Sequence, residues 1–310
     1  MSNPKERRDF LKTILGGTAA LSLSSIGFAR QSSGPIAATK VAENLVLITG
    51  AGRNVLVVTG PDGLLMVNGG RPEQSAALLK VVADQSPANR VQALFNTDWY
   101  LENTGSNEIL GKAGAKIIAH ENTKLWLTTD IVVEWQKRTY KPRPKEALPN
   151  QTFYTTGKMT FGKEEIQYGH LGQAHTDGDI YVFLPGPNVL VTGDVFSPGM
   201  YPIPDYSTNG WLGGVVTATK TLIGLTDAKT RVIPGTGPIQ GRADLEAQYE
   251  MCNTLKTRIA EMMKQGKGAK EIIAAKPTAE FDEKWGDPTV FLSVVYRGLW
   301  SHVRELGGIV

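Results

Sequence analysis

Asn96-Thr97-Asp98-Trp99-Tyr100-Leu101-Glu102-Asn103-Thr104-Gly105 is the stretch that decides how this chain is read. The apolar run Val91–Phe95 just before it has the length of a buried strand, and a helical pattern begins near Glu102–Thr104. A short loop between a strand end and a helix start aims alternate side chains into one cleft. Asp98, Tyr100 and Glu102 alternate along it here, and Asn103 follows. A further short strand, Lys116–Ala119, follows, giving the order strand, loop, helix, strand.

The pattern extends in both directions. Asn44–Thr49 and Asn54–Thr59 read as strands, and Pro61-Asp62-Gly63 is turn chemistry before a return strand Leu64–Asn68. Glu73–Ala83 has helical spacing behind Pro72. Lys137–Asn150 is basic and Pro-rich and reads as loop, either a solvated connection or a lid. Strands resume at Met159–Phe161, Glu165–His170, Ile180–Leu184 and Val189–Val191, the last running into Gly193-Asp194. Gly210–Leu225 is helical, and Arg231–Pro234 is a last strand before Gly235-Thr236-Gly237-Pro238. Arg242–Gly266, Ala269–Ala275 and Val290–Leu306 are helical, so 242–310 is expected to be a helical C-terminal part. One domain spans 33–310, of α/β class, with helices layered on a mixed sheet.

The first thirty residues stand apart. Arg7-Arg8-Asp9-Phe10-Leu11-Lys12 is a twin-arginine signature, followed by an apolar Gly/Ala/Ser-rich run ending in Gly27-Phe28-Ala29. Residues 1–30 are therefore expected to be a signal peptide that engages the twin-arginine export machinery and delivers the protein to the periplasm. Gly16-Gly17 and several hydroxyl residues interrupt the run, so no stable membrane anchor is expected. The segment is net +3, and so is the whole chain of 310 residues. The remainder is neutral and offers no basic face for nucleic acid. The single cysteine, Cys252, sits in a helical pattern, so no intramolecular disulfide can form and the thiol reads as core.

The mature chain resembles the metallo-β-lactamase superfamily throughout. The matching pieces are Asn54–Asn68, Asn96–Asn107, Ile118-Ala119-His120-Glu121-Asn122, Gly172–Asp179, Leu190–Asp194 and Val232–Pro238. The tail Ala275-Lys276-Pro277-Thr278, Phe281-Asp282-Glu283-Lys284-Trp285 and Val295-Tyr296-Arg297 is similar to that of an exported branch. The resemblance implies an αββα sandwich with the site at one edge, and an H-x-H-x-D-H loop that opens a dizinc centre. Carried over position by position, the first metal site, normally three histidines, holds Asp98, Tyr100 and His175. The second, normally an aspartate and two histidines, holds Glu102, Asn103 and Thr236. Asp194 fills the bridging position, and Asn68 replaces an acid, a sign of a relaxed surround.

A standard dizinc centre is therefore not expected. Asp98, Glu102 and Asp194 close together cannot all stay ionised without a compensating cation, failing which one carboxyl must hold its proton. Two solutions follow. One is a single divalent cation (Mn, Fe, Ca or Mg) on Asp98, His175 and Asp194, with Glu102 or Tyr100 added, since oxygen-rich sets favour such ions over zinc. The other is a metal-free site with a general acid beside a general base. Asp98, Tyr100, Glu102, His175 and Asp194 are the candidate catalytic residues, with Tyr100 as a donor to developing negative charge. A hydrolase, lyase or isomerase acting on a small organic substrate is expected. The competing expectation is a non-catalytic binding or accessory protein using the same cleft. His120, His170, His302 and Asp179 read as structural, and Trp99, Trp126, Tyr201 and Trp211 as packing or pocket wall.

Overall fold

The computed structural model describes residues 34–302; the expected signal peptide lies outside them. A seven-stranded sheet runs in the order β1-β2-β3-β4-β5-β6-β9 and a five-stranded sheet in the order β10-β11-β12-β13-β14. In the first, β1 (Ala37–Ala42), β2 (Leu45–Thr49), β3 (Val55–Gly60) and β4 (Gly63–Val67) pair antiparallel. β5 (Val91–Phe95), β6 (Lys116–His120) and β9 (Gln151–Phe153) then add in parallel. The second sheet is an antiparallel run of β10 (Thr156–Phe161), β11 (Glu164–His170), β12 (Ile180–Leu184) and β13 (Val189–Gly193), closed by β14 (Arg231–Pro234) parallel to β13.

Strand periodicity explains the layering, because successive side chains point to opposite faces. Leu56 and Val58 of β3 and Leu65 and Val67 of β4 face the second sheet, meeting Ile166, Val182, Val191 and Ile233. Their neighbours Val55, Val57, Leu64 and Met66 face outward onto Leu78 and Val82 of the helix Ser75–Ala83. On the far side, Leu190 and Val232 face a third cluster with the helices Leu212–Gly224, Arg242–Lys264 and Thr289–Ser301. Strands with apolar residues on both faces must be covered on both, and the result is a four-layer αββα sandwich. The C-terminal helices share the core cluster of the second sheet, and Cys252 is wholly buried within it.

Two stretches depart from the sequence reading. Lys137–Asn150 is not a free loop: β8 (Arg138–Tyr140) pairs with β7 (Ile131–Val133) in a small hairpin. Beyond it, the Ala147 carbonyl accepts from Asn107 Nδ2, and Asn150 exchanges backbone and side-chain bonds with Ile117. The end of the segment is strapped to the sheet edge. Residues 121–127 form a helix capped by His120, whose Nδ1 accepts from the Asn122 N–H at 3.2 Å. A seven-residue helix offers too short a periodic run to register in the sequence.

Candidate active site

The decisive loop leaves β5 and is fixed before it reaches the helix Leu101–Thr104. Asn68, at the end of β4 in a left-handed conformation, accepts from both the N–H and the hydroxyl of Thr97 at 3.0 Å. The Asn68 oxygen is thus held, while its Nδ2 is buried without a hydrogen-bond partner. Asp98 follows with no exposure and accepts from the Tyr100 N–H at 2.8 Å.

Asp194 arrives from the end of β13. Gly193 before it has a φ of 57°, and a Cβ there would lie 2.7 Å from the Thr97 side chain. Only glycine lets this strand turn so close to the Asp98 loop. Gly235, after β14, is equally constrained: a Cβ on it would fall 2.0 Å from Asp194 Oδ1. His175 comes from the β11–β12 connection. Its Nδ1 lies 2.7 Å from the Ile203 carbonyl, which can only accept, so Nδ1 carries the proton. In the neutral ring, Nε2 therefore presents a lone pair. It is buried, has no hydrogen-bond partner and stands 3.9 Å from Asp194 Oδ2.

Asp98, His175 and Asp194 each bring one ligand-type atom within 4.8 Å of the other two. Three atoms so spaced leave a point within about 2.8 Å of all of them, which is hydrogen-bond reach. Glu102 is not in this trio. It is partly exposed on the rim, with Oε1 3.8 Å from Arg71 Nε and Oε2 buried without a partner. Tyr100 is buried beside the trio, with its ring 5.0 Å from that of His175, but its hydroxyl donates to Asp205 Oδ2 at 3.0 Å. It stacks on Trp99 and meets Tyr140 of β8 edge-on. The Tyr100 hydroxyl, expected as a donor to developing negative charge, is instead accepted by Asp205, and burial together with that carboxylate holds its phenol well above the ordinary range.

Arg53 answers the charge problem posed by the sequence, and sequence reasoning missed it. It sits in the Gly50-Ala51-Gly52-Arg53 turn between β2 and β3, and its Nε lies 2.8 Å and 2.9 Å from the two Asp194 oxygens. Asn103 completes the arrangement: its Nδ2 donates to both Asp98 oxygens at 2.8 and 2.7 Å and reaches Asp194 Oδ2 at 3.3 Å. A guanidinium and an amide thus stand against the two carboxylates. Burial, then the charge of Asp194, still push the Asp98 carboxyl up to about 6. Burial opposes a charge on His175, but Asp194, Asp179 and Asp98 outweigh it, so the imidazole is raised above its usual value.

A dizinc centre does not fit these side chains. The Tyr100 hydroxyl is spent on Asp205, and the Asn103 amide turns its N–H bonds, not its oxygen, toward the carboxylates. What remains is one three-donor set for a single cation, with Glu102 outside it.

The remaining sequence candidates are structural. Asp179 accepts from the N–H and hydroxyl of Thr176 at 2.8 Å, bracing the His175 turn, and burial raises its carboxyl to about 8. His120 and His170 stack on each other at 3.7 Å, away from the trio, and each Nε2 meets a backbone carbonyl. His302 stacks on Trp211, Trp126 bonds Asp177, Tyr201 bonds Asp282, and Trp99 bonds Thr208. Asp205 went unnoticed in the sequence. Fully buried, it collects Tyr100, Trp135 and Thr208 while its N–H donates to the His175 carbonyl at 2.7 Å.

Comparison with known proteins agrees with this architecture. Residues 103–249 match the family described as the Metallo-beta-lactamase superfamily. A metallo-beta-lactamase from Pontibacter korlensis superposes with a TM-score of 0.57 at 18% identity, over 70% of this chain and 99% of that one. The stereoselective inverting sec-alkylsulfatase Pisa1 from Pseudomonas sp. superposes with a TM-score of 0.64 at 18% identity, over 84% of this chain and 50% of that one. The fold is therefore that of the metallo-beta-lactamases, and residues 103–249 carry the match to the superfamily's model. At such identities the neighbours establish the fold and leave the chemistry to the side chains.

Proposed function

We propose that this protein is an exported, periplasmic enzyme of hydrolase type acting on a small organic substrate without a dizinc centre. Its chemistry is hydrolysis or a related lyase or isomerase step, carried by Asp98, His175 and Asp194. One observation supports this above the others: a buried imidazole nitrogen with no hydrogen-bond partner faces two carboxylates whose own charges are held by Arg53 and Asn103. A packing histidine would have both nitrogens satisfied. In this reading His175 Nε2 accepts a proton from water or substrate, and Asp98 is the group that holds and returns one. Asp194, oriented by Arg53, stabilises the imidazolium that forms. The Arg7-Arg8 signature supports export by the twin-arginine route, and no helix among the described residues is long and apolar enough to cross a membrane.

A second reading is favoured by the convergence of three donor atoms within 4.8 Å: Asp98, His175 and Asp194 would hold one Mn, Fe, Ca or Mg ion. Elemental analysis of the purified mature protein, run beside His175→Ala and Asp194→Ala, separates the two. Substoichiometric metal, with ester or lactone turnover lost in Asp98→Asn and His175→Ala, is the expected result. Stoichiometric metal that vanishes in both alanine variants establishes the cation site instead. A metal-free protein with no turnover on esters, lactones, amides, sulfates or phosphates overturns the enzyme reading in favour of a non-catalytic binding or accessory protein.

A further inference from the structure

The approach to the buried trio is flanked by two arginines from adjacent turns. Arg53 spends only Nε on Asp194; its two terminal nitrogens have no hydrogen-bond partner among the described residues. Arg71 follows Gly69-Gly70 at the end of β4, and its stem lies on the turn that carries Arg53. A Cβ on Gly52 would fall 2.6 Å from Arg71 Cγ. The two turns are laced together, with the Arg71 N–H on the Ala51 carbonyl at 2.8 Å and Gln74 Nε2 on the Gly50 carbonyl at 2.9 Å. The side chains of Arg53 and Arg71 are 25% and 24% exposed, while those of Asp194 and His175 beneath are 9% and 8%. The arginine side chains are thus more exposed than the carboxylate and imidazole beside them.

Arg71 is held in place but not satisfied. Its Nε is buried with no partner, and the Glu102 oxygen facing it stands 3.8 Å away, beyond a hydrogen bond. Glu102 Oε2 and Gln74 Oε1 are likewise buried and unpartnered. A buried guanidinium N–H left without an acceptor is costly, so Arg71 Nε signals an acceptor that completes it, whereas the Glu102 and Gln74 oxygens only accept and are not completed by the same group. A guanidinium fork is matched by a planar or tetrahedral oxyanion, which accepts two parallel N–H bonds.

We propose that Arg53 and Arg71 form a clamp for an oxyanion on the substrate, so that the enzyme acts on anionic small molecules bearing a carboxylate, sulfate or phosphate group. The clamp rests on the reading of Asp98, His175 and Asp194 as the reacting centre and supplies its substrate class. Glu102 aligns Arg71 without saturating it. Because each arginine already faces one carboxylate, recognition comes from donor geometry rather than excess charge. It belongs in KM more than in kcat.

The test uses the full mature protein and Arg71→Met, which keeps the stem over Gly52, and Arg71→Lys, which keeps the charge but not the fork. Unfolding midpoints are measured with sodium acetate, sulfate or phosphate against sodium chloride at constant ionic strength. Turnover is compared on neutral and anionic nitrophenyl esters, including the sulfate and phosphate. At least one anion should raise the wild-type midpoint saturably and leave Arg71→Met unmoved, and the effective anion identifies the oxyanion. Anionic esters should exceed neutral ones at least tenfold in kcat/KM. Arg71→Met should raise KM at least tenfold with kcat within threefold, and Arg71→Lys should give an intermediate rise. If Arg71→Met does not fold, a wild-type KM in Arg71→Lys overturns the clamp. So does equal anion stabilisation in wild type and Arg71→Met. Neutral esters turned over as well as anionic ones, with the Asp98 and His175 dependence intact, remove the clamp but leave the enzyme reading standing. Anion binding that depends on Arg71 without any turnover keeps the clamp and removes the enzyme reading.

Discussion

Replacing Arg53 by methionine tests whether an internal cation has taken over the task of compensating the acidic pocket. Methionine keeps most of the stem and deletes the guanidinium, so both Asp194 oxygens lose a donor at 2.8–2.9 Å while Asp98 remains within the same cluster. Stranding one partner of a fully buried ion pair costs about 3–5 kcal/mol. Arg53 is a quarter exposed, so water can replace part of its hydrogen bonding and the cost falls to about 2 kcal/mol. In a domain of this size that lowers Tm by roughly 4–8 °C. The assay is a double-mutant cycle with Asp194→Asn, followed by urea and thermal unfolding at pH 7. Once Asp194 is neutral the arginine has little left to compensate. The double variant should therefore recover stability relative to the sum of the singles by at least about 1 kcal/mol. A loss of under about 0.5 kcal/mol for Arg53→Met, or strict additivity in the cycle, refutes the compensation argument.

Further outcomes follow from the same geometry. Gly235→Ala places a Cβ 2.0 Å from Asp194 Oδ1, so it should break the Arg53 pair and lower Tm by an amount that does not add to the Arg53→Met loss. Gly214→Ala drives a Cβ to 1.5 Å from the Gln173 carbonyl oxygen, in the turn that carries His175. Backbone must move, and thermal unfolding should register a loss of about 2 kcal/mol or more. His120 is held down to about 4, by burial first and then by the neighbouring His170. Above pH 6.5 it is neutral folded and unfolded and contributes no pH dependence. As pH falls from 6.5 toward 4 the unfolded chain takes up the proton first, so stability is lost, by at most about 3 kcal/mol. His120→Gln, which can still accept from Asn122 and donate to Tyr154, should flatten that slope in wild type minus variant urea titrations; parallel curves refute the assignment. The difference is needed because Asp98 and Asp179, whose carboxyls are raised on folding, shift stability in the opposite direction.

Short apolar runs at β3, β4, β5, β12 and β13, with turn chemistry between them, were enough to read the strands, and the sandwich followed as what the family resemblance implies. These are local patterns, because a strand buried on both faces writes its requirement into consecutive residues. The sequence also placed Asp98, His175 and Asp194 at the ends of strands, where the fold gathers side chains into one edge. It could not reveal which of its polar neighbours would be consumed by one another. Arg53 and Asp194 are 141 residues apart, and Tyr100 and Asp205 are 105 apart. Nothing in either local stretch marks the pairing. Glu102 lies four positions from Asp98 in the chain, yet it turns toward Arg71 at the rim and not into the trio.

The sequence by itself therefore determined the strands and helices and the acids and histidine at their ends, with the sandwich as what its family resemblance implied. Only tertiary structure decided how those acids are balanced, because charge compensation depends on distances of a few ångströms between groups brought together by separate loops. A hydrophobic pattern is repeated along a strand and can be read one residue at a time. A hydrogen bond from a guanidinium to a carboxylate is made once, in space.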